Sequence, residues 1–372
     1  MSEHFFKTLK IERFRGIQSL EISGLERVNV FVGKNNCGKT SVLEAAFLLI
    51  GISNPDFIVQ HQQRRGIIPG ESSALRDFFY QREHERGINL SCTQVKGRRT
   101  LEICPLYGNL RLGQPSGSSS TVPEDGGTKR ASQVDIGASI SRQSLIGLKY
   151  QFTVHDRAHK DGYYEATICW ADHLNKAFSL SLDANYKEAI RALYLSKTGY
   201  DYNFVDRMLN AKRKDSLLSV LKSIDPKVED IKTGSHSLVS VDIGLDSFVP
   251  VNLLGDGIMR ILNILSSIEY VPNGLLFIDE IENGLHVTAL ERVWEVILDR
   301  SEQSNVQIFL TTHSADVIES LRNVLLTKKS FSDSVTCYRL VKFEKDDATR
   351  AYRYSSEQLR QALDSNTDIR LG

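Results

Sequence analysis

The chain has no net charge: 46 Lys+Arg balance 46 Asp+Glu over 372 residues. It therefore carries no global electrostatic footprint for nucleic acid or an anionic membrane surface, and any such contact must come from a local patch. The five cysteines (Cys37, Cys92, Cys104, Cys169 and Cys337) are scattered without C-x-x-C spacing. That argues against a zinc site or a disulfide framework and suits a reducing compartment. No apolar stretch is long enough to span a bilayer, and the opening MSEHFFKTLKIERF, with Glu3 and Glu12 among its charges, has no signal-peptide core. The expectation is a soluble, cytoplasmic protein with no membrane partner. What is present is ample apolar content, 41% of residues, enough for one large α/β domain or two lobes.

Two motifs carry the chemistry. GKNNCGKTS at 33–41 fits G-x-x-x-x-G-K-[ST] and lies between an apolar run (Val28, Val30, Phe31, Val32) and a helical pattern (Leu43, Ala46, Phe47, Ile50), the strand–loop–helix context of a phosphate-binding loop. Its residues Gly33, Lys34, Asn35, Asn36, Cys37, Gly38, Lys39, Thr40 and Ser41 are the candidate nucleotide contacts. Lys39 is suited to the β and γ phosphates and Thr40 to Mg²⁺. The second motif, LLFIDEIENGLH at 275–286, is a buried-strand pattern that delivers Asp279 as a metal-binding carboxylate and Glu280 as a general base to a sheet edge. Together they imply a nucleoside triphosphate as ligand, Mg²⁺ as cofactor, and hydrolysis as well as binding, with Lys39 and Glu280 in catalytic roles.

Around these motifs the chain reads as alternating structure. Strand patterns occupy 9–14, 20–22 and 28–32, then 88–95 and 101–103. The Gly/Ser/Pro-rich stretch at 113–127 reads as a mobile insertion. Two alternating runs, Leu148/Tyr150/Phe152/Val154 and Tyr164/Ala166/Ile168/Trp170, read as a hairpin that Phe178/Leu180/Leu182 extends. Residues 186–224 read as helical, with a basic cluster at Lys212, Arg213 and Lys214. A strand at 239–245 precedes a helix that begins at Gly255-Asp256-Gly257 and aligns Ile258, Ile261, Leu262 and Leu265 on one face. After a further helix, VQIFLTTHS at 306–314 is another buried strand, ending near His313; a strand at 335–341 and a capping-box helix from Ser355 follow.

Lys39 and Asp279 stand 240 positions apart, so a whole lobe must separate the two motifs. That interval, the glycine-bearing helix start and the strand-end histidine resemble the ABC-class ATPase head, the class of transporter ATPases, SMC proteins and RecF. The resemblance implies an α/β fold with a mixed sheet and an inserted β-hairpin plus helical lobe. It also implies ATP as the nucleotide, the activity of a Mg-dependent ATPase, and a homodimer that sandwiches ATP between heads, with a higher oligomer left open. Gly255, Asp256 and Gly257 would then approach the γ-phosphate bound by the other head, Glu280 would polarise the attacking water, His313 would sense the γ-phosphate, and Asn283 would lie in a loop communicating between sites.

A narrower set (IERFRGIQSLEI, LLGDGIMRILNIL, DEIENGLH, FLTTHS and the closing CYRLV…YRYSSEQLRQALDSNTDIR) resembles stand-alone ATPases related to the OLD family. These are AAA-annotated and associated with antiviral defence, and many carry a Toprim nuclease domain. No acidic cluster of that kind follows here, so the implied effector is a separate nuclease or Toprim-like polypeptide; direct DNA contact and a RecF-like repair role, or an ATP-clamped assembly role, are the alternatives. The implied division is 1–104 (first part of the core, Walker A), 105–147 (flexible insertion), 148–235 (inserted strand and helical lobe) and 236–372 (signature-like loop, Walker B and switch histidine). LGDG departs from the transporter LSGGQ, leaving no signature serine. The Q-loop candidates are Gln60, Gln62 and Gln63. Arg13 and Arg15 are read as nucleotide or neighbouring-head contacts, or as surface pairs. Cys37 is read as a thiol activated by Lys39 or as a small loop-filling residue.

Overall fold

The computed structural model describes residues 5–53, 57, 75–108, 144–156, 161–172, 177–196, 205, 209, 214–233, 239–343, 347–365 and 369–370. The insertion at 113–127, the three glutamines and Lys212 and Arg213 lie outside them.

Strands β1 (Phe6–Phe14) and β2 (Ile17–Ser23) form a hairpin, and β3 (Val28–Val32) leads into helix α1 (Lys39–Leu48). The alternating segments β4 (Ile88–Gln94), β5 (Gly97–Gly108), β6 (Ser144–Asp156), β7 (Gly162–Asp172) and β8 (Ala177–Leu182) join the first hairpin in an antiparallel seven-stranded sheet, ordered β2-β1-β4-β5-β6-β7-β8. The expected hairpin and its extension are β6, β7 and β8. They continue the sheet that begins with β1.

The reading of 186–224 as helical is corrected in part. Ala192–Leu195 is strand β9, whereas Val205, Leu209 and helix α2 (Lys214–Ile224) are helical. Lys214 pairs with Asp230 at 2.7 Å. Three short strands, β10 (Asp230–Thr233), β11 (Val239–Asp242) and β12 (Val249–Pro250), form a small sheet. Helix α3 (Asp256–Tyr270), β13 (Leu275–Ile278), α4 (Leu290–Gln303), β14 (Gln307–Thr312), α5 (Ala315–Thr327), β15 (Val335–Lys342), β16 (Thr349–Ser355) and α6 (Ser356–Asp364) follow. Ser355 caps α6 with the reciprocal Gln358 bond that the sequence pattern predicts.

The second sheet runs β16-β15-β3-β14-β13-β9. Its pairs are parallel except β15 with β16. Strands β3, β13 and β14 are buried along their whole length, as strands covered on both faces must be. Alternate residues feed two cores. Val28, Val30, Val32, Leu276, Ile278, Ile308 and Leu310 pack toward α3, α4 and α5, while Phe31, Phe277, Phe309 and Tyr338 pack toward α1 and the antiparallel sheet. Helix α1, buried between the two sheets, shows no polar stripe. The sheets are joined by the buried Gln307, whose Nε2 donates to the carbonyls of Phe6 and Glu26 while its Oε1 accepts from the Phe6 amide. A mixed sheet carrying both motifs, an attached antiparallel sheet and helices on the far face make this an ABC-type ATPase head.

Candidate nucleotide and metal site

The parallel strands β3, β14 and β13 end on one edge of the sheet, and the site is built there. From β3 the chain turns through 33–38 into α1. Gly33 has φ 148°, and a Cβ on it would lie 2.5 Å from the Leu340 carbonyl oxygen, so only glycine fits. Helix α1 has no side-chain cap and no acidic residue in its first turn. Its initial N–H groups are thus left to an external acceptor, the arrangement that favours an anion. The Lys39 ammonium folds over the loop, donating to the carbonyls of Gly33 (2.8 Å) and Lys34 (2.9 Å).

Register then brings the second motif alongside. Ile278 pairs with Leu310, which sets Asp279 level with Thr311. The Thr311 hydroxyl donates to Asp279 Oδ1 at 2.7 Å, and Thr40 donates to the same oxygen at 3.1 Å. Burial pushes the Asp279 carboxyl above the ordinary aspartate range; the Thr311 and Thr40 hydroxyls pull it back, and the charges of Glu280 and Glu44 push it up again. A buried carboxylate beside a threonine hydroxyl is an all-oxygen donor pair. It fits a small hard divalent cation that completes its shell with water and phosphate oxygens. Among the described residues no group of three or more His, Cys, Asp and Glu side chains could hold a metal ion.

Glu280 has φ 49°, an uncommon conformation for a residue with a side chain. It is held by its amide donating to Thr311 Oγ1 (2.8 Å) and by its carbonyl, which accepts from the Asn283 amide (3.1 Å) and from Arg260 (3.1 Å). His313 lies beyond β14, half-exposed, and its Nδ1 is 2.9 Å from Glu282 Oε1, which also accepts from the His313 amide. Arg370 donates to the His313 carbonyl. Glu282 is a site residue that the sequence reading missed; its position two residues past Glu280 in the same acidic motif was the signal.

The signature-like loop touches the segment after Glu280. A Cβ on Gly257 would lie 3.1 Å from the Gly284 carbonyl oxygen, and one on Gly284 would lie 3.0 Å from the Asp256 Cβ, so the two loops meet backbone to backbone. Gly255 is different: a Cβ there would meet nothing within 4 Å.

Other candidates are relocated. Arg15 is neither a surface pair nor directed to solvent: it is largely buried, 2.5 Å from the buried Glu44 of α1, with its guanidinium near the Phe14 and Phe78 rings. Arg13 donates to the Gly87 carbonyl. Cys37 is buried, and burial pushes its thiol up despite the nearby Lys39, so it is the loop-filling residue and not an activated thiol. A cavity of about 340 Å³ opens beside the loop, where Lys34, Arg339, Lys342 and Arg370 outnumber Asp347, a lining suited to a polyanion.

A family described as "AAA domain, putative AbiEii toxin, Type IV TA system" matches residues 28–319. The chain is 22% identical over 341 residues to an "ATP/GTP phosphatase" of Helicobacter pylori (strain ATCC 700392 / 26695), covering 87% of this chain and 89% of that one. Shorter stretches match "DNA replication and repair protein RecF" of Acinetobacter baylyi (strain ATCC 33305 / BD413 / ADP1), 51% over 41 residues, 11% of this chain and 12% of RecF, and of Pseudoalteromonas translucida (strain TAC 125), 33% over 100 residues, 26% and 25%. Among solved structures, the SMC head domain from Thermotoga maritima covers 94% of this chain and 99% of that one at 12% identity, with a TM-score of 0.42. Among the described residues no helix is long and apolar enough to cross a membrane. With both nucleotide motifs inside the matched span, on adjoining ends of one sheet, the chain belongs to this AAA-domain family of P-loop ATPases.

Proposed function

We propose that the chain is a Mg²⁺-dependent ATPase switch whose heads close as a homodimer on ATP. The observation that carries the reading is the convergence of Thr40, Asp279, Thr311 and Glu280 around one point in a single chain, while the loop meant for a second nucleotide faces outward. Leu253, 72% exposed, and Val287, 51% exposed, flank that loop and its neighbour. They supply the apolar contacts an opposing head would cover.

Lys39 and the amides of the loop and of α1 bind and orient the triphosphate. Thr40 and Asp279 would hold the metal, which neutralises phosphate charge when bound. Glu280 orients the attacking water and accepts its proton, and His313, oriented by Glu282, faces the γ-phosphate. Gly255, Asp256 and Gly257 of the opposing head approach the same phosphate, with Asp256 orienting the loop in place of a signature serine.

Of the cellular roles, a RecF-like action at DNA is favoured by the local likeness to two RecF proteins. A defence role acting through a separate effector rests on the DEIENGLH and FLTTHS patterns and on the toxin named in the family's description. The test is the size and turnover of wild type and Glu280→Gln with Mg-ATP, alone and with duplex DNA across ionic strength. The switch requires an ATP-dependent dimer, trapped in the variant. DNA stimulation that fades with salt favours the RecF-like role, whereas turnover indifferent to DNA favours a switch awaiting a protein effector. A wild type that stays monomeric and inert with Mg-ATP overturns the reading.

A further inference from the structure

Arg260 lies one turn into α3 and is 1% exposed. Its Nη2 donates to the carbonyls of Asp279 (2.9 Å) and Glu280 (3.1 Å), and its Nη1 to the carbonyl of Ser196 (3.1 Å). One guanidinium therefore ties three elements together: the helix that starts at the outward loop, the end of β13 that carries both acidic residues, and the residue following the edge strand β9. It stands near the positive end of the α3 dipole, and placing a guanidinium on backbone carbonyls in the interior carries a desolvation cost. One planar group donating to three backbone carbonyls beside the strained Glu280 points to a positional role. The planar fork suits it, because two donors on adjacent nitrogens fix direction as well as distance.

We propose that Arg260 is the positioning residue that couples the two nucleotide sites of the dimer, by holding the Asp279–Glu280 backbone at the height set by α3. This rests on the dimeric reading above. Helix α3 senses the partner's nucleotide at its first residues, and Arg260, rigidly part of that helix, sets the carbonyl of the residue that orients water in its own head. The backbone contact of Gly257 with Gly284 runs in parallel, so a shift of α3 reaches the Glu280 junction from both sides. Arg260 moves no proton and touches no substrate; it acts through Glu280.

The experiment compares wild type, Arg260→Met, Arg260→Lys, Glu280→Gln and the Arg260→Met/Glu280→Gln pair, reading thermal unfolding, KM and kcat for Mg-ATP, and ATP-dependent dimer mass by light scattering. Arg260→Met is expected to lower the unfolding temperature by a few degrees as its three carbonyls lose their donor, change KM less than about twofold, form the dimer in the Glu280→Gln background, and lose about tenfold or more in kcat. Added to Glu280→Gln it should cost less than about twofold further, because residues that act as a unit are not additive. Arg260→Lys, with its charge but not its fork, should recover only part of kcat. If Arg260→Met does not fold, Arg260→Lys decides by the same KM and kcat split. A kcat within about twofold of wild type, or a loss that multiplies fully with that of Glu280→Gln, overturns the proposal. A wild type that hydrolyses ATP but stays monomeric removes the coupling between heads and the dimeric reading together, and that control separates this outcome from failure of Arg260 itself.

Discussion

Asp279, Thr40 and Thr311 engage one another within a single chain, whereas Gly255 stands where an added Cβ would touch nothing, with Leu253 and Val287 exposed nearby. The inner half of the site is assembled by sheet register, so it exists as soon as β3, β14 and β13 pair. The outer half is assembled by helix and loop ends that project from the fold. Under the proposed function the difference separates binding from signalling: the buried set would hold a nucleotide, and the projecting set would report that nucleotide to another body.

The sharpest way to break this comparison is at Lys39. Lys39→Ala should abolish measurable binding of a fluorescent ATP analogue and cut phosphate release by about 10²–10³-fold, the scale for removing one charge-stabilising donor. If it merely weakens an otherwise active enzyme, the inner half is not where the triphosphate sits. Next in size is Thr311→Val, which removes the hydroxyl serving both Asp279 and the Glu280 amide. A destabilisation of about 1–3 kcal/mol is expected from the lost buried partner, read by urea unfolding, together with a raised Mg²⁺ requirement.

Asp279→Asn gives a smaller shift of opposite sign. Because the folded-state pKa of Asp279 is raised, its ionised form opposes folding above that pKa. The penalty disappears as pH falls through the folded pKa toward the unfolded value. Metal-free Asp279→Asn should therefore melt higher than wild type at neutral pH, on the scale of about 2–4 °C per kcal/mol. The gap should close on acidification, and Mg-ATP should stabilise wild type alone. The smallest effect is kinetic. Cys37, with its thiol pushed up by burial, should be alkylated more slowly than the partly exposed Cys104 and Cys169, measured by mass spectrometry at mildly alkaline pH.

Legibility in the sequence followed the same division. Strands β3, β13 and β14 each hold a short apolar run (30–32, 275–278 and 308–310), and the two motifs they carry are contiguous, so the inner residues could be read along the chain. Strand β9 could not: four residues, ALYL, within a long stretch of helix-compatible composition give no period to recognise. Arg15 was equally hidden, because its partner Glu44 is visible only once α1 is seen pressed between two sheets. The links from Glu282 to His313 and from Arg260 to backbone carbonyls join residues brought together by folding alone, and carbonyl acceptors leave no trace in side-chain chemistry.

The strand order carries a consequence for synthesis. The phosphate loop is encoded early, yet β3, which bears it, lies between β14, starting at Gln307, and β15, starting at Val335. A growing chain that has emerged past Lys39 has neither flanking strand to pair with, and loop closure over nearly 280 residues must come before its register is fixed. The phosphate loop thus waits for β14 before its register is set. A ribosome paused anywhere before β14 would present an unpaired, mostly apolar VNVFV segment to chaperones or to other nascent chains.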